Sequence, residues 1–253
     1  MDSLTPKHIL LFEAFGWEVP QIVHLSVFLD PEGDGKMSKR KGSVSALSFL
    51  EEGYLPEAML NYLMLLGWNP GGERELFTLE EFVKEFDLKN LNKSNQKFTY
   101  DKLNWFNQQY IRKLGNKDLA ARIVKFTTRS EKDIEKALPL VKERLVTLSD
   151  FDDLTIFLFE RPLSKVKYSV MTKLSEQTAV EIVGHAKGVL EKNWDGKMLE
   201  TEARKFCEQN NIKVGDYFMV LRLAITGRSQ TPPLWDVVEI LGQEETFKRL
   251  SSV

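Results

Sequence analysis

The stretch Lys36-Met37-Ser38-Lys39-Arg40-Lys41 decides how the rest of this 253-residue chain is read. It gathers four cations and a hydroxyl into one short loop. Turn-forming residues, Asp30-Pro31-Glu32-Gly33-Asp34-Gly35, precede it, and Gly42 and Ser43 follow. A loop so built can close ammonium groups over a polyphosphate. Attack at an α-phosphate with loss of pyrophosphate gathers negative charge, and positioned cations stabilise that charge best where water is excluded. An isolated basic hexapeptide is more often a solvated turn, so the flanks must decide. A P-loop is excluded by the residues themselves, because it needs glycine where Asp30 stands and Ser or Thr where Met37 stands.

Upstream, Thr5-Pro6 offers a capping hydroxyl and a first-turn proline. Ile9, Phe12 and Phe15 recur near helical spacing, and Gly16 is a stop. Ile22 to Leu29 is β-branched and aromatic and reads as a strand. Helix, strand and loop in this order are similar to the tail of a doubly wound nucleotide-binding sheet, whose ligand lies beyond the carboxyl ends of the strands. The sequence offers no second convincing strand, which leaves Ile22 to Leu29 with bare edges unless partners are missing. The expectation is truncation.

Composition narrows the classes. A net charge of −2 provides no global basic field, so nucleic-acid contact must come from local patches. The lone Cys207 forbids an internal disulfide and any multi-cysteine zinc site, and the histidines lack ligand spacing, so no metal is expected. The apolar runs are too short for a membrane span, and the expected location is cytoplasmic.

Together, Thr5-Pro6-Lys7-His8-Ile9-Leu10-Leu11, Phe15-Gly16-Trp17, Pro20, His24-Leu25 and the Lys36-to-Gly42 loop resemble bacterial-type glutamyl-tRNA synthetase. The loop looks like the KMSKS signature of class I aminoacyl-tRNA synthetases, written here KMSKR, and the likeness runs to the C-terminus. The resemblance implies that Lys36, Met37, Ser38, Lys39 and Arg40 bind ATP, with Lys39 the main phosphate-stabilising cation, Lys36 its helper, and Arg40 standing where the signature has serine. It implies glutamate, ATP (with Mg2+) and tRNA(Glu) as substrates of the intact enzyme, and a monomer. The family's first half, with its HIGH-type motif and glutamate pocket, has no counterpart here.

The middle reads as helical. Ser43 or Ser45 can cap a helix ended by Gly53, and Pro56 opens another ended by Gly67. Thr78-Leu79-Glu80-Glu81 fits a capping box. A further helix lies within Lys97 to Arg112. By resemblance this is a stem-contact segment, with Trp105 and Tyr110 packed inside and Lys97, Lys102 and Arg112 either on phosphate or solvated. Beyond Asn116 every convincing segment is helical. Ser130 caps one helix, Pro139 is expected to end it and begin the next at Leu140, and further helices are expected over 151–159, 180–190, 200–208 and 217–225. Related enzymes with a similar loop carry β-barrel anticodon domains, but no alternating strands appear here.

Arg222 to Gly227, then Thr231-Pro232-Pro233-Leu234, resembles the family's anticodon-contact signature. A guanidinium pairs with phosphate or a base edge, and Thr-Pro-Pro makes a rigid shelf before a helix. Arg222, Thr231, Pro232 and Leu234 are therefore the candidate contacts, with Trp235 in the core. Arg144 falls where discriminating members carry an arginine that opposes the wrong third anticodon base.

The expected fold is mainly α: a small α/β remnant of a Rossmann-type catalytic domain (1–44), a helical stem-contact domain (45–112) and an all-helical anticodon-binding region (113–253), in one piece or two with a boundary near 165. The expected function is that of the C-terminal half of a glutamate–tRNA ligase, catalytically incompetent alone; the alternative is a stand-alone helical tRNA-binding module.

Overall fold

A computed structural model describes residues 4–30, 35, 45–160 and 168–252. The chain divides into two compact units, the first drawn from 1–42 with 60–100 and the second from 43–59 with 101–253. The elements are α1 (Thr5–Ala14), β1 (Phe28–Leu29), α2 (Ala46–Glu51), α3 (Pro56–Gly67), α4 (Leu79–Glu85), β2 (Gln96–Lys97), α5 (Tyr100–Lys113), α6 (Asn116–Ile123), α7 (Glu131–Val141), α8 (Asp150–Phe159), α9 (Tyr168–Met171), α10 (Glu176–Lys192), α11 (Gly196–Gln209), α12 (Val214–Thr226) and α13 (Leu234–Leu250). The fold is mainly α, as expected, and beyond Asn116 the described residues form helices rather than strands.

In the first unit, α1 begins one residue earlier than its sequence suggests. Leu4 is the N-cap and makes no side-chain capping bond. Thr5 Oγ1 instead lies 3.4 Å from His24 Nε2. The strand expected over 22–29 is also corrected. Of this run only Phe28 and Leu29 are ladder residues, paired in parallel with Gln96 and Lys97, where the sequence suggests no strand. Residues 22–27 have the composition of a strand, but a strand exists only where a neighbour takes its hydrogen bonds. Around Trp68, which is buried, stand Phe77, Phe82 and Phe86 with ring centroids 5.9, 5.2 and 6.2 Å away. The fully buried Asn61 donates to the Glu75 carbonyl and accepts from Phe77 N–H, each at 2.9 Å, and so fixes the segment leading to α4. At the start of α4 the capping box is complete: Thr78 Oγ1 accepts from Glu81 N–H, and the Glu81 carboxylate accepts from Thr78 N–H.

In the second unit, Ser45, Ser130, Ser175 and Asp195 each accept a backbone N–H and start α2, α7, α10 and α11. The buried Asn107 amide accepts from Leu55 N–H at 2.8 Å and donates to the Val146 carbonyl at 2.6 Å, tying three chain segments together. Pro139 does not end α7 but sits inside it, and a short 3-10 turn, Lys142–Arg144, follows. The bond the proline forfeits would have gone to the Glu135 carbonyl, and both residues lie on the exposed face, where solvent can reach it. α10, α11, α12 and α13 enclose the last core, which includes Ile182, Ala186, Ala203, Tyr217, Val220 and Val238.

His185, on α10, stacks on Phe206 at 4.4 Å and shares a hydrogen bond of 2.8 Å with Tyr217 through Nδ1. Burial lowers its pKa from the ordinary 6.5, partly opposed by Glu202. A depressed folded-state pKa means the neutral imidazole is the form the fold favours. Its contribution is complete above the unfolded value and is lost as pH falls through the lowered one. The urea midpoint should therefore drop between pH 7 and pH 5, and His185→Gln should flatten that drop. An unchanged slope in the variant would show that carboxylates alone set it.

Candidate nucleic-acid interface

The five residues singled out after Asn116 meet at one turn. α12 ends at Gly227, whose left-handed backbone (φ 69°) turns the chain and whose N–H closes on the Leu223 carbonyl at 2.8 Å. The chain then runs through Thr231 and Pro232 into α13. Arg222, in the last turns of α12, reaches across this loop. Its Nη1 donates to the carbonyls of Thr231 (3.2 Å) and Pro232 (2.9 Å) and to Thr231 Oγ1. From the 3-10 turn after α7, Arg144 Nη2 donates to the same Thr231 carbonyl at 3.3 Å. Two guanidinium groups thus share one oxygen. No carboxylate among the described residues forms an ion pair with either. Burial first, and the Arg144 charge second, push the Arg222 guanidinium down from its ordinary value. Such a pair favours an added anion.

Thr231 and Pro232 are buried. The threonine hydroxyl, expected on the outer shelf, is turned inward and donates to the Pro232 carbonyl at 2.9 Å while accepting from Arg222. The turn is thus an internal brace, and the outward-facing groups are Arg144 and Arg228. Sequence reading missed Arg228, whose Nη1 donates to the Asp153 carbonyl at 2.6 Å. Its only signal was its place directly after the Gly227 stop. Leu234 is half-buried and lines an apolar cavity of about 50 Å³ with Leu199, Leu221 and Val238. Trp235 is half-buried rather than fully in the core. Its ring lies so close to Gly196 that a Cβ there would stand 2.5 Å from it, and its Nε1 donates to Glu239 at 2.8 Å.

In the middle of the chain, Trp105 and Tyr110 are half-buried. Lys102 lies 4.4 Å over the Trp105 ring, and Arg112 pairs with Glu143 at 2.9 Å, so each cation already has a neighbour. Lys97 is exposed in β2. The loop residues Lys36, Met37, Ser38, Lys39 and Arg40 lie outside the described residues. Next to them, Asp30 N–H donates to the Gly35 carbonyl at 2.8 Å.

A family pattern described as "Anticodon binding domain" matches residues 118–253, more than half of the chain, and one described as "tRNA synthetases class I (E and Q), catalytic domain" matches residues 2–105. A glutamate–tRNA ligase of Amoebophilus asiaticus is 35% identical over 97% of this chain and 53% of its own length. One of Nitrosospira multiformis is 35% identical over 97% of this chain and 54% of its own length. Among solved structures, a glutamate–tRNA ligase from Elizabethkingia meningosepticum in complex with its amino acid superposes with a TM-score of 0.82 at 30% identity, over 99% of this chain and 55% of that one. The chain spans about half the length of the relatives it matches.

Proposed function

Because the chain belongs to the glutamyl-tRNA synthetase family, we propose that it is the later half of a glutamate–tRNA ligase and supplies the ATP loop, the tRNA stem brace and the anticodon reader. In the whole enzyme a glutamate carboxylate oxygen attacks the α-phosphorus of ATP. Pyrophosphate leaves and glutamyl-adenylate forms. A hydroxyl at the 3′ end of tRNA(Glu) then attacks the acyl carbon, and AMP leaves. Lys39, with Lys36, offsets the charge that gathers on the phosphates, and Ser38 with backbone groups holds the loop on ATP. Among the described residues no three His, Cys, Asp or Glu side chains are grouped to hold a metal ion.

The observation that carries the reading is the convergence of Arg144 and Arg222 on the Thr231 carbonyl. An anticodon loop presents phosphates and splayed bases, and the paired guanidinium groups, with Arg228 beside them, offer donors to both. The chain alone, a monomer in this reading, should bind tRNA(Glu) with an affinity that falls steeply with salt. It should give no glutamate-dependent exchange of pyrophosphate into ATP. Exchange by the 253-residue chain would refute the claim that half the catalytic apparatus lies elsewhere, and absence of tRNA binding at low salt would refute the rest.

Arg144→Gln separates reading from folding. Arg144 is exposed, so the melting temperature should barely move. The ratio of affinities for glutamate and glutamine tRNAs should shrink by about tenfold, the scale of one lost base-directed contact. An unchanged ratio would remove Arg144 from anticodon recognition.

A further inference from the structure

Helices α10, α11, α12 and α13 meet around the apolar cavity of about 50 Å³ that Leu234 lines. Ala186 of α10, Leu199 of α11, Phe218 and Leu221 of α12, and Trp235 and Val238 of α13 supply much of the rest of its wall. Interiors pack at close to crystal density, so a void among four helices persists only where its wall cannot collapse. Here the wall is fixed at Trp235. The indole is pressed against Gly196, where a Cβ would stand 2.5 Å from the ring, and its Nε1 is tied to Glu239 at 2.8 Å. Trp194 meets the same ring with centroids 5.6 Å apart, and Phe247 backs Trp194 at 5.8 Å. On α10, Ala186 offers the cavity only a methyl group, flanked on the buried face by Ile182, Val183 and Leu190.

The chemistry of the wall decides what such a space can hold. A buried water needs roughly two to four polar partners. The side chains of this wall are apolar apart from the Trp235 indole nitrogen, which already donates to Glu239. Among the described residues, the buried side-chain donors and acceptors without a partner belong to Trp68, Arg129 and Thr246, and none of these lines the cavity. A charged or hydrogen-bonding molecule would forfeit its hydration here and gain nothing in exchange. An apolar one regains the dispersion contacts that the lining atoms lack across the void. An apolar cavity of about 150 Å³ engineered into another protein stays dry and takes up benzene or xenon, and the space here is about a third of that. We infer that the α10–α13 bundle holds a binding site for one small, uncharged apolar molecule, of about the size of xenon or a hydrocarbon of two or three carbons. Its occupant touches the first turn of α13 at Leu234 and Trp235, directly after Thr231 and Pro232.

Xenon is the probe, dissolved under pressure with the 253-residue chain, and the methyl groups are read by carbon–proton NMR. The methyl signals of Leu199, Leu221 and Val238 should shift and reach a plateau as xenon is raised. Those of Leu47, 68% exposed, and Val83, 69% exposed, should move far less and without a plateau. Ala186→Leu extends a side chain into the cavity and should abolish the plateau while the circular dichroism stays unchanged. Val238→Leu fills the space from α13 and decides the matter if Ala186→Leu does not fold. Absence of a saturable shift at the wall overturns the inference, as do wall shifts no larger than those of Leu47 and Val83. A plateau that survives in the filled variants overturns it too. So does cross-relaxation from a long-lived water to the wall methyl groups, which would make the cavity a hydration site.

Discussion

Arg249→Met should cost the second unit about 3–5 kcal/mol, a fall in melting temperature on the order of 10 °C. Arg249 is one of the largest fully buried side chains, 2% exposed, and near the end of α13 it holds three helices together. Its Nη1 donates to the Phe157 carbonyl at 2.5 Å and the Ile225 carbonyl at 2.9 Å, and its Nη2 to the Leu158 carbonyl at 3.3 Å. These carbonyls belong to the last turns of α8 and α12, where helices run out of their own donors and carry the negative ends of their dipoles. A guanidinium is suited to this place because its fixed fork reaches two helix ends at once. Methionine fills much of the volume yet leaves those carbonyls without a donor, each at about 1–3 kcal/mol. Glu245, its one carboxylate partner among the described residues, lies 3.0 Å from Nε and is partly exposed. If the helix ends rather than the ion pair hold the cation, Glu245→Gln should cost under about 1 kcal/mol. Arg249→Lys should recover only part of the loss. Equal losses in Glu245→Gln and Arg249→Met would mean that the ion pair is what matters.

Arg249 also marks the boundary of what the sequence makes legible. In Phe247-Lys248-Arg249 it looks like a solvated basic helix end, and nothing local says that three carbonyls from α8 and α12 will close around it. The caps of α2, α4 and α7 were legible because Ser45, Thr78 and Ser130 act within three residues of themselves. Pro139 misled because a helix tolerates proline where solvent can reach the freed carbonyl, and exposure is a tertiary fact. Ile22 to Leu29 misled in the opposite direction: its propensity for a strand is real, but pairing is decided by a distant segment at Gln96–Lys97. Each member of the candidate site carried a local signature or a place in a resemblance. Their convergence did not, since Arg144 and the turn at Thr231, far apart in sequence, are brought together where α7 packs against α13. The Thr231 hydroxyl turns inward because it accepts from Arg222 and donates to the Pro232 carbonyl, neither of which the Thr-Pro-Pro run signals by itself.

Gly53→Ala should be nearly as damaging as the loss of Arg249, at about 2–5 kcal/mol, though it adds a single methyl group. Gly53 follows the end of α2 with φ +91°. Its N–H donates to the Leu50 carbonyl, and the next N–H, from Tyr54, reaches back to Phe49 at 3.0 Å. The Phe49 and Tyr54 rings meet edge to face at 5.5 Å, closing a Schellman turn with its usual apolar contact. A left-handed backbone alone costs a non-glycine residue about 1–2 kcal/mol. The larger part comes from what lies against the glycine. A Cβ there would stand 2.7 Å from the Ser149 nitrogen and 2.9 Å from the Leu148 nitrogen, and both are backbone atoms that cannot rotate away. Leu148 N–H bonds the Gly53 carbonyl at 2.9 Å, and Ser149 Oγ bonds the Glu52 carbonyl at 2.7 Å, so moving the segments apart breaks both. Overpacking of this kind adds roughly 1–3 kcal/mol. Gly71→Ala supplies the comparison: φ is +77° there, but nothing lies within 4 Å of the added methyl, so only the left-handed penalty of about 1 kcal/mol should appear. Urea denaturation of the two variants measures the difference. Equal costs would show that the 148–149 segment gives way easily, and that the join at Gly53 is looser than its hydrogen bonds imply.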